Sequence, residues 1–360
     1  MPPRFAPKPG IMDIAPYVGG ESKADAQRII KLSSNESPFG PSPKAMKALI
    51  DAAAEMHRYP DGNCIALRNA LATKNNIDVA KIVCGAGSDE IIAFLCNAFV
   101  APGDEVVYNR HGFLMYGISA QVNGGKAVLA PEQNLRADVD VLLAAVTPKT
   151  KILFIANPNN PTGSYLPKDE IQRLRKNLRD DIILCLDSAY AEFVTAKDYS
   201  AGHEMVDEYN NVVVMRTFSK IYGMGGLRLG WGHCPIAIAD VLNRVRGPFN
   251  VSVAAQVAGL AALDDDAFVT KAVAHNTQWL NWTIDQLSAM GLKAYPSVAN
   301  FILVEFGTAE RAEACRLHLK GKGILVRQMG AYGLGSCLRI SIGLGEEMEL
   351  ACAGIKEYLQ

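Results

Sequence analysis

Val212-Val213-Val214-Met215-Arg216-Thr217-Phe218-Ser219-Lys220, continued by Ile221-Tyr222-Gly223-Met224-Gly225-Gly226-Leu227-Arg228-Leu229-Gly230-Trp231, is the stretch whose reading decides the fold. A short apolar run, read as a strand, delivers one lysine among hydroxyls, and an arginine follows eight residues later. A lysine at a strand end among small and hydroxylated residues is partly desolvated, which lowers its pKa and frees the amine for Schiff-base chemistry with a carbonyl. Thr217, Ser219 and Arg228 suit an anion beside it, because hydroxyl donors and a guanidinium fork match phosphate oxygens. A phosphate next to a carbonyl-binding lysine describes pyridoxal 5′-phosphate. The same stretch also reads as a surface lysine ahead of a glycine-rich loop.

Upstream, short apolar runs alternate with helical segments. Residues 81–84, 105–108, 126–129, 151–156 and 181–186 read as strands, with 211–215 the sixth, and residues 89–100 as a helix after the turn Gly85-Ala86-Gly87. Continuously apolar strands separated by helices argue for an α/β fold with a largely parallel sheet covered on both faces. Ligands in such folds sit at the carboxyl ends of the strands. Residues 1–35 read as an extended arm with one short helix, and Ser42-Pro43 as a helix start with proline at the first position. A break falls at residues 246–250. A long helical stretch over 253–290, strands at 301–305 and 337–342, and a helix at 309–320 then form a smaller α+β unit. The expected division is an arm over 1–35 that joins the small unit, a large domain over 36–247 and a small domain over 248–360.

The 360 residues are 49% hydrophobic and 20% charged, with a formal net charge of −1, so no whole-molecule field favours nucleic acid or an anionic membrane. No apolar signal core opens the chain and no stretch is long enough to span a bilayer. Eight scattered cysteines without a CxxC pair read as free thiols, and six histidines lack metal-ligand spacing. The expectation is a soluble, cytoplasmic, metal-free protein.

Other candidates cluster at strand ends. In Asn157-Pro158-Asn159-Asn160-Pro161-Thr162-Gly163 the prolines and Gly163 stiffen a turn that presents the Asn160 amide, although asparagine and proline are common in any turn. In Asp187-Ser188-Ala189-Tyr190 the aspartate suits a protonated ring nitrogen and the tyrosine a ring phenolate, or Asp187 is simply a helix cap. Gly87-Ser88-Asp89-Glu90 opens a helix and offers backbone N–H groups and a hydroxyl to an anion. The Asp89 carboxylate would repel a phosphate, so its backbone amide takes the larger role. Phe113, in Arg110-His111-Gly112-Phe113-Leu114-Met115-Tyr116, suits stacking on a ring or burial in the core. Tyr59, in His57-Arg58-Tyr59-Pro60, reads as an exposed turn residue. Arg339, inside Leu338-Arg339-Ile340-Ser341-Ile342, is a charge in an apolar strand and implies an anion or a salt bridge. Arg327 offers a second fork in the same unit.

Taken in order, these motifs resemble the fold type I pyridoxal-phosphate aminotransferases of the class I and II group. The resemblance spans nearly the whole chain. It also takes in Pro16-Tyr17, Leu32-Ser33-Ser34-Asn35-Glu36-Ser37-Pro38-Phe39-Gly40-Pro41-Ser42-Pro43 and the Arg58-Tyr59-Pro60 turn. It implies a large domain built on a mainly parallel seven-stranded sheet, with a smaller α+β domain beside it. It implies that Lys220 binds the cofactor and shuttles the proton, that Asp187 pairs with the ring nitrogen, and that Asn160 and Tyr190 contact the ring oxygen. Phe113 stacks on the ring. Ser88, Asp89, Thr217, Ser219 and Arg228 gather the phosphate, with Tyr59 arriving from the partner of a homodimer. Arg339 takes a glutamate carboxylate; Arg339, Arg327 and Tyr17 take a substrate phosphate, with Asn35 nearby. Within the group, the motifs are most similar to the branch acting on L-histidinol phosphate and 2-oxoglutarate, in histidine biosynthesis. Alternatives are transamination of aromatic amino acids alone or in addition, decarboxylation of a phosphorylated threonine, and a catalytically silent binding module. The chain departs from the group at Gly225-Gly226, where alanines are commoner, at Ser37, where asparagine is, and at Phe113, where some members carry tyrosine.

Overall fold

A strand that is apolar along its whole length must be covered on both faces, and that requirement organises this molecule. The computed structural model describes residues 6–360, so residues 1–5 of the expected arm lie outside the described residues. After a 3-10 turn at Ile11–Asp13, the elements run β1 (Ile30–Leu32), α1 (Pro43–Asp51), α2 (Ile65–Asn75), β2 (Ile82–Gly85), α3 (Ser88–Phe99) and β3 (Glu105–Asn109). Next come α4 (Met115–Val122), β4 (Lys126–Ala130), α5 (Val139–Ala144), β5 (Thr150–Ala156), α6 (Lys168–Asn177), β6 (Ile183–Asp187) and α7 (His203–Glu208). Then follow β7 (Val212–Thr217), β8 (Gly230–His233), α8 (Ile236–Val245), α9 (Val253–Leu263), α10 (Asp266–Ala289) and β9 (Lys293–Ala294). The chain ends with β10 (Phe301–Glu305), α11 (Ala309–Gly321), β11 (Ile324–Gln328), β12 (Cys337–Ser341) and α12 (Gly345–Leu359).

Seven strands form one sheet in the order β2-β8-β7-β6-β5-β3-β4, and five form another in the order β1-β11-β12-β10-β9. Alternate residues of the central strands go to opposite faces. Val106, Phe154, Val213 and Met215 pack against α3, α4 and α8, whereas Val107, Leu153, Val212 and Val214 pack against α5, α6 and α7. Full burial of each such side chain contributes roughly 1.5–3 kcal/mol, which is why the middle of each of these strands is apolar on both faces. The expected fold type, a mainly parallel seven-stranded sheet with a smaller α+β unit beside it, is the one observed.

The smaller sheet ties chain termini together. β1 runs parallel to β11, so the segment before the large sheet is stitched into the C-terminal unit. Its core includes Leu32, Leu280, Ile302, Val326 and Ile340.

Two expectations need correction. The apolar-run reading finds six strands in the large sheet and passes over β8, which pairs antiparallel with both β2 and β7. Its sequence, Gly-Trp-Gly-His, has no apolar run, because a Cβ at Gly230 would collide with the backbone of Ser88. The helical stretch at 253–290 is two helices: the Asp265 side chain accepts from the Phe268 N–H and caps α10 after a break at Asp264.

The chain lays β4 outside β3 and then returns to place β5 on the other side of β3. That reversal is a topological switch point, where the loops after β3 and β5 diverge and leave a crevice at the strand ends.

Candidate active site

The crevice is a cavity of about 410 Å³, and every candidate singled out from the sequence lines it except Tyr59. The ends of β6 and β7 supply its base. Lys220 follows β7 and is half-buried; burial, with Arg339 adding a like charge, pulls its ammonium down to about 8. Its Nζ donates to the Ser34 carbonyl at 3.4 Å. The amine is thus poised near neutrality, as an acid–base group requires.

Asp187 ends β6 and is buried. Burial raises its pKa, while the Tyr116 hydroxyl, donating to Oδ2 at 2.6 Å, and the Ala189 N–H, donating to Oδ1 at 3.3 Å, act the other way. A buried carboxylate held ready by two donors suits a cationic partner. Tyr116 itself is locked between Phe154, stacked at 4.6 Å, and Phe113, edge-on at 5.8 Å.

The end suited to an anion is built by α3 and the loop after β7. Ser88 and Asp89 open α3, where the first backbone N–H groups have no partner within the helix. The Asp89 carboxylate turns aside and pairs with Arg228 Nη2 at 2.6 Å, which keeps it off an incoming anion. Arg228 also donates to the Gly225 carbonyl at 3.0 Å and reaches the Ser219 hydroxyl at 3.4 Å. Thr217 Oγ1 accepts from the Ser219 N–H at 3.1 Å and so sets that turn. Gly87 has a φ of 93°, and a Cβ there would run into both Asp89 and Arg228. The missing side chain is part of the cradle.

The opposite wall comes from the smaller sheet. Arg339 on β12 is buried and has no carboxylate partner among the described residues. One Nη donates to the side-chain Oδ1 of Asn160 and the other to the Ser33 backbone carbonyl at 3.1 Å, while Nε has no partner among the described residues. Arg327 on β11 is partly exposed and donates to the Val18 carbonyl at 2.5 Å, beside Tyr17. Asn35 and Tyr190 are buried between the two sheets, with Asn35 Nδ2 donating to the Tyr190 hydroxyl at 2.9 Å. Burial raises the Tyr190 pKa, so its hydroxyl is neutral.

Tyr59 lies elsewhere. It is 83% exposed and stacks on Phe249 at 4.6 Å, outside the cavity of its own chain. Three residues that orient the site escape sequence reasoning. Tyr116 falls inside a motif read only for Phe113, and its place one helical turn on is the one local signal. Ser341 and Asn300, which hold Asn35, give no local signal at all.

A phosphate next to a planar carbonyl compound fits this donor set. Hydroxyls, Arg228 and a helix start surround one end, a depressed lysine and a buried carboxylate face the middle, and an arginine with an unsatisfied Nε closes the far side. The fold and this site are those of a transaminase-type enzyme. Residues 27–355 match the family model for class I and II aminotransferases, and the chain belongs to that family. It is 58% identical to the histidinol-phosphate aminotransferase of Paramagnetospirillum magneticum over 98% of both chains, and 54% identical to that of Rhodospirillum rubrum over 98% and 96%. Among solved structures, the histidinol-phosphate aminotransferase of Sinorhizobium meliloti in complex with pyridoxal-5′-phosphate superposes with a TM-score of 0.91 at 30% identity, covering 99% of this chain and 97% of that one.

Proposed function

We propose that this chain binds pyridoxal 5′-phosphate and transfers the amino group between L-histidinol phosphate and 2-oxoglutarate, giving imidazole acetol phosphate and L-glutamate in histidine biosynthesis. The observation that carries this reading is one cavity with two anion-binding ends, Arg228 with α3 at one and Arg339 with Arg327 at the other, and the near-neutral Lys220 between them. The names of the relatives point the same way.

In this reading Ser88, Asp89, Thr217, Ser219 and Arg228 hold the cofactor phosphate, and Phe113 lies against the ring. Bound there, the cofactor supplies a conjugated electron sink for the substrate α-carbon. Lys220, with a pKa near 8, takes and returns the α-proton at close range. Asp187, to which the Tyr116 hydroxyl donates, would pair with the protonated ring nitrogen. Asn160 and Tyr190 orient the ring through its oxygen. Arg339 takes the carboxylate of glutamate, and Arg327 with Tyr17 joins it for the phosphate of the other substrate. Small amino and oxo acids are its only partners in this scheme, besides a second copy of the chain. The homodimer is supported by Tyr59, which is exposed and useless to its own cavity but suited to another's phosphate end. Residues 36–247 then form the cofactor domain, and 1–35 with 248–360 the smaller one. A cytoplasmic location accords with eight free, buried cysteines, and no helix among the described residues is long and apolar enough to cross a membrane.

The test is an absorption titration of the purified, pyridoxal phosphate-loaded protein with L-histidinol phosphate, L-glutamate and L-phenylalanine. Bleaching of the visible band by histidinol phosphate at far lower concentration than phenylalanine is the expected result. Equal or better response to phenylalanine overturns the substrate assignment. Lys220→Ala is expected to abolish turnover while leaving the fold intact, and normal turnover by that variant sinks the mechanism.

A further inference from the structure

The reading above leaves one chain of hydrogen bonds without a role, and it runs from Ser341 through Asn35 to Tyr190. Asn35 is buried with a φ of 56°, a conformation that asparagine tolerates better than most residues. Each of its polar groups is engaged. Its backbone N–H donates to Ser341 Oγ at 2.8 Å, and its carbonyl accepts from Asn300 Nδ2 at 3.0 Å. Its side-chain Oδ1 accepts from Ser341 Oγ at 3.1 Å, and Nδ2 donates to the Tyr190 hydroxyl at 2.9 Å.

The direction of this chain follows from the one donor that cannot be reversed. A backbone N–H only donates, so Ser341 Oγ is the acceptor there and has a single proton left to give. Asn35 Oδ1 receives it, which fixes the amide with its NH₂ group toward Tyr190. A flipped amide would leave the Ser341 proton without that acceptor. A phenol whose oxygen already accepts a hydrogen bond keeps its own proton for donation, and no protein acceptor for it occurs among the described residues.

We propose that Ser341 and Asn35 are positioning residues that set the direction of the Tyr190 hydroxyl, so that Tyr190 presents itself to the cavity as a donor. Asn35 is then not a substrate ligand, contrary to what its motif suggests. This rests on the reading of the cavity as a pyridoxal phosphate site with Tyr190 at the ring oxygen. Ser341 belongs to the smaller sheet and Tyr190 follows a strand of the larger one, so the donor is set only where the two sheets meet. The charged and titratable groups that face Lys220 and Tyr190 are Arg339, Arg228, Asp187, Glu36 and Tyr332, and none is altered in the variants below.

The test is a pH titration of the visible absorbance of the cofactor-loaded protein. A donor on the ring oxygen stabilises the deprotonated chromophore, so withdrawing it raises the midpoint. Asn35→Asp keeps the backbone conformation but offers Tyr190 only an acceptor, and the midpoint is expected to rise by about one pH unit, a tenfold change in proton affinity. In a Tyr190→Phe background the same substitution keeps only the effect of its charge, and the shift should fall by about half or more. Ser341→Ala should shift the midpoint the same way by less, and Ser341→Thr, which retains the hydroxyl, should titrate like wild type. The kcat should fall in Asn35→Asp with the KM for glutamate little changed. Additive shifts in the double variant overturn the proposal, as does a raised KM with an unmoved midpoint, which is the signature of a substrate ligand. If Asn35→Asp fails to fold by thermal melt, the Ser341→Ala and Ser341→Thr pair decides. A wild-type protein that never develops the absorbance with pyridoxal phosphate overturns the functional reading and this proposal together. A wild type that develops and bleaches it while every variant titrates identically overturns this proposal alone.

Discussion

Replacing Arg339 by methionine separates what a buried charge does for the fold from what it does for a ligand. Arg339 is 6% exposed, and its guanidinium lies 5.3 Å over the Phe301 ring, donates to Ser33 and Asn160, and has an Nε without a partner among the described residues. Burial lowers its pKa, Tyr190 and Tyr332 oppose that only in part, and no carboxylate among the described residues pairs with it. The desolvation penalty for such an ion is several kcal/mol. Against it stand two hydrogen bonds from a charged donor at about 1.5–3 kcal/mol each and a cation–π contact of about 1–2 kcal/mol. These terms nearly cancel, so Arg339→Met is expected to change unfolding stability by no more than about 1 kcal/mol in either direction, read from urea denaturation of the apo protein. The ligand has no such cancellation. A glutamate carboxylate held by two charge-assisted bonds loses about 3–5 kcal/mol, which at about 1.4 kcal/mol per decade is roughly a hundred- to several-thousand-fold weaker response. The assay is the glutamate concentration that half-bleaches the loaded enzyme. Arg339→Lys should recover only part of the loss, because an ammonium lacks the planar fork. A destabilisation above about 3 kcal/mol with an unchanged glutamate response would show Arg339 to be a structural residue and refute the reasoning.

Three further outcomes are expected. The pKa of Lys220 is lowered in the folded protein to about 8 from an ordinary 10.5, so between those values the unfolded chain carries the extra proton and Lys220's own contribution to stability rises with pH. As pH rises through about 8, capture of pyridoxal phosphate by the apo protein should quicken and then level off once the amine is neutral; stopped-flow absorbance reads the rate, and a pH-independent rate contradicts the depressed lysine. Tyr116→Phe removes a donor from the Asp187 carboxylate, whose pKa burial already raises, and should weaken cofactor retention on dialysis by about ten- to a hundredfold, the worth of one hydrogen bond to a charged group. Retention equal to wild type would show that the Tyr116 donor contributes nothing to the hold of Asp187 on the cofactor. Arg216 and Glu192 form a largely buried pair at 2.7 Å that ties the Lys220 strand to the Tyr190 turn. Arg216→Met alone should cost about 3–5 kcal/mol by leaving Glu192 buried and unpaired, and adding Glu192→Leu should restore most of it, by urea denaturation; equal losses in the single and double variants would count against this account.

What could be read from the sequence, and what could not, divides along a physical line. The residues proposed to carry the chemistry sit at the ends of strands buried on both faces, and such strands announce themselves as apolar runs. Asp187, Asn160, Lys220 and Phe113 could therefore be placed at one end of one sheet before any fold was known, and the cavity gathers them there. Strand β8 was not legible because its first residue, Gly230, answers to the backbone of Ser88, a neighbour more than a hundred residues away. The break between α9 and α10 was legible in principle, since Asp264-Asp265-Asp266 is a capping sequence, but the apolar periodicity on either side masks it. The residues that aim the chemistry answer to contacts of another order. Tyr116 meets Asp187 across 71 positions, and Asn35 meets Ser341 across 306, with nothing in either neighbourhood to mark the pairing. Tyr59 completes the argument from the other side. Its motif assigns it to a phosphate, yet in its own chain it faces away from the cavity and stacks on Phe249. A local pattern can say what chemistry a side chain offers. Where that chemistry is delivered depends on which surfaces meet, and for Tyr59 the proposed meeting surface is that of a second chain.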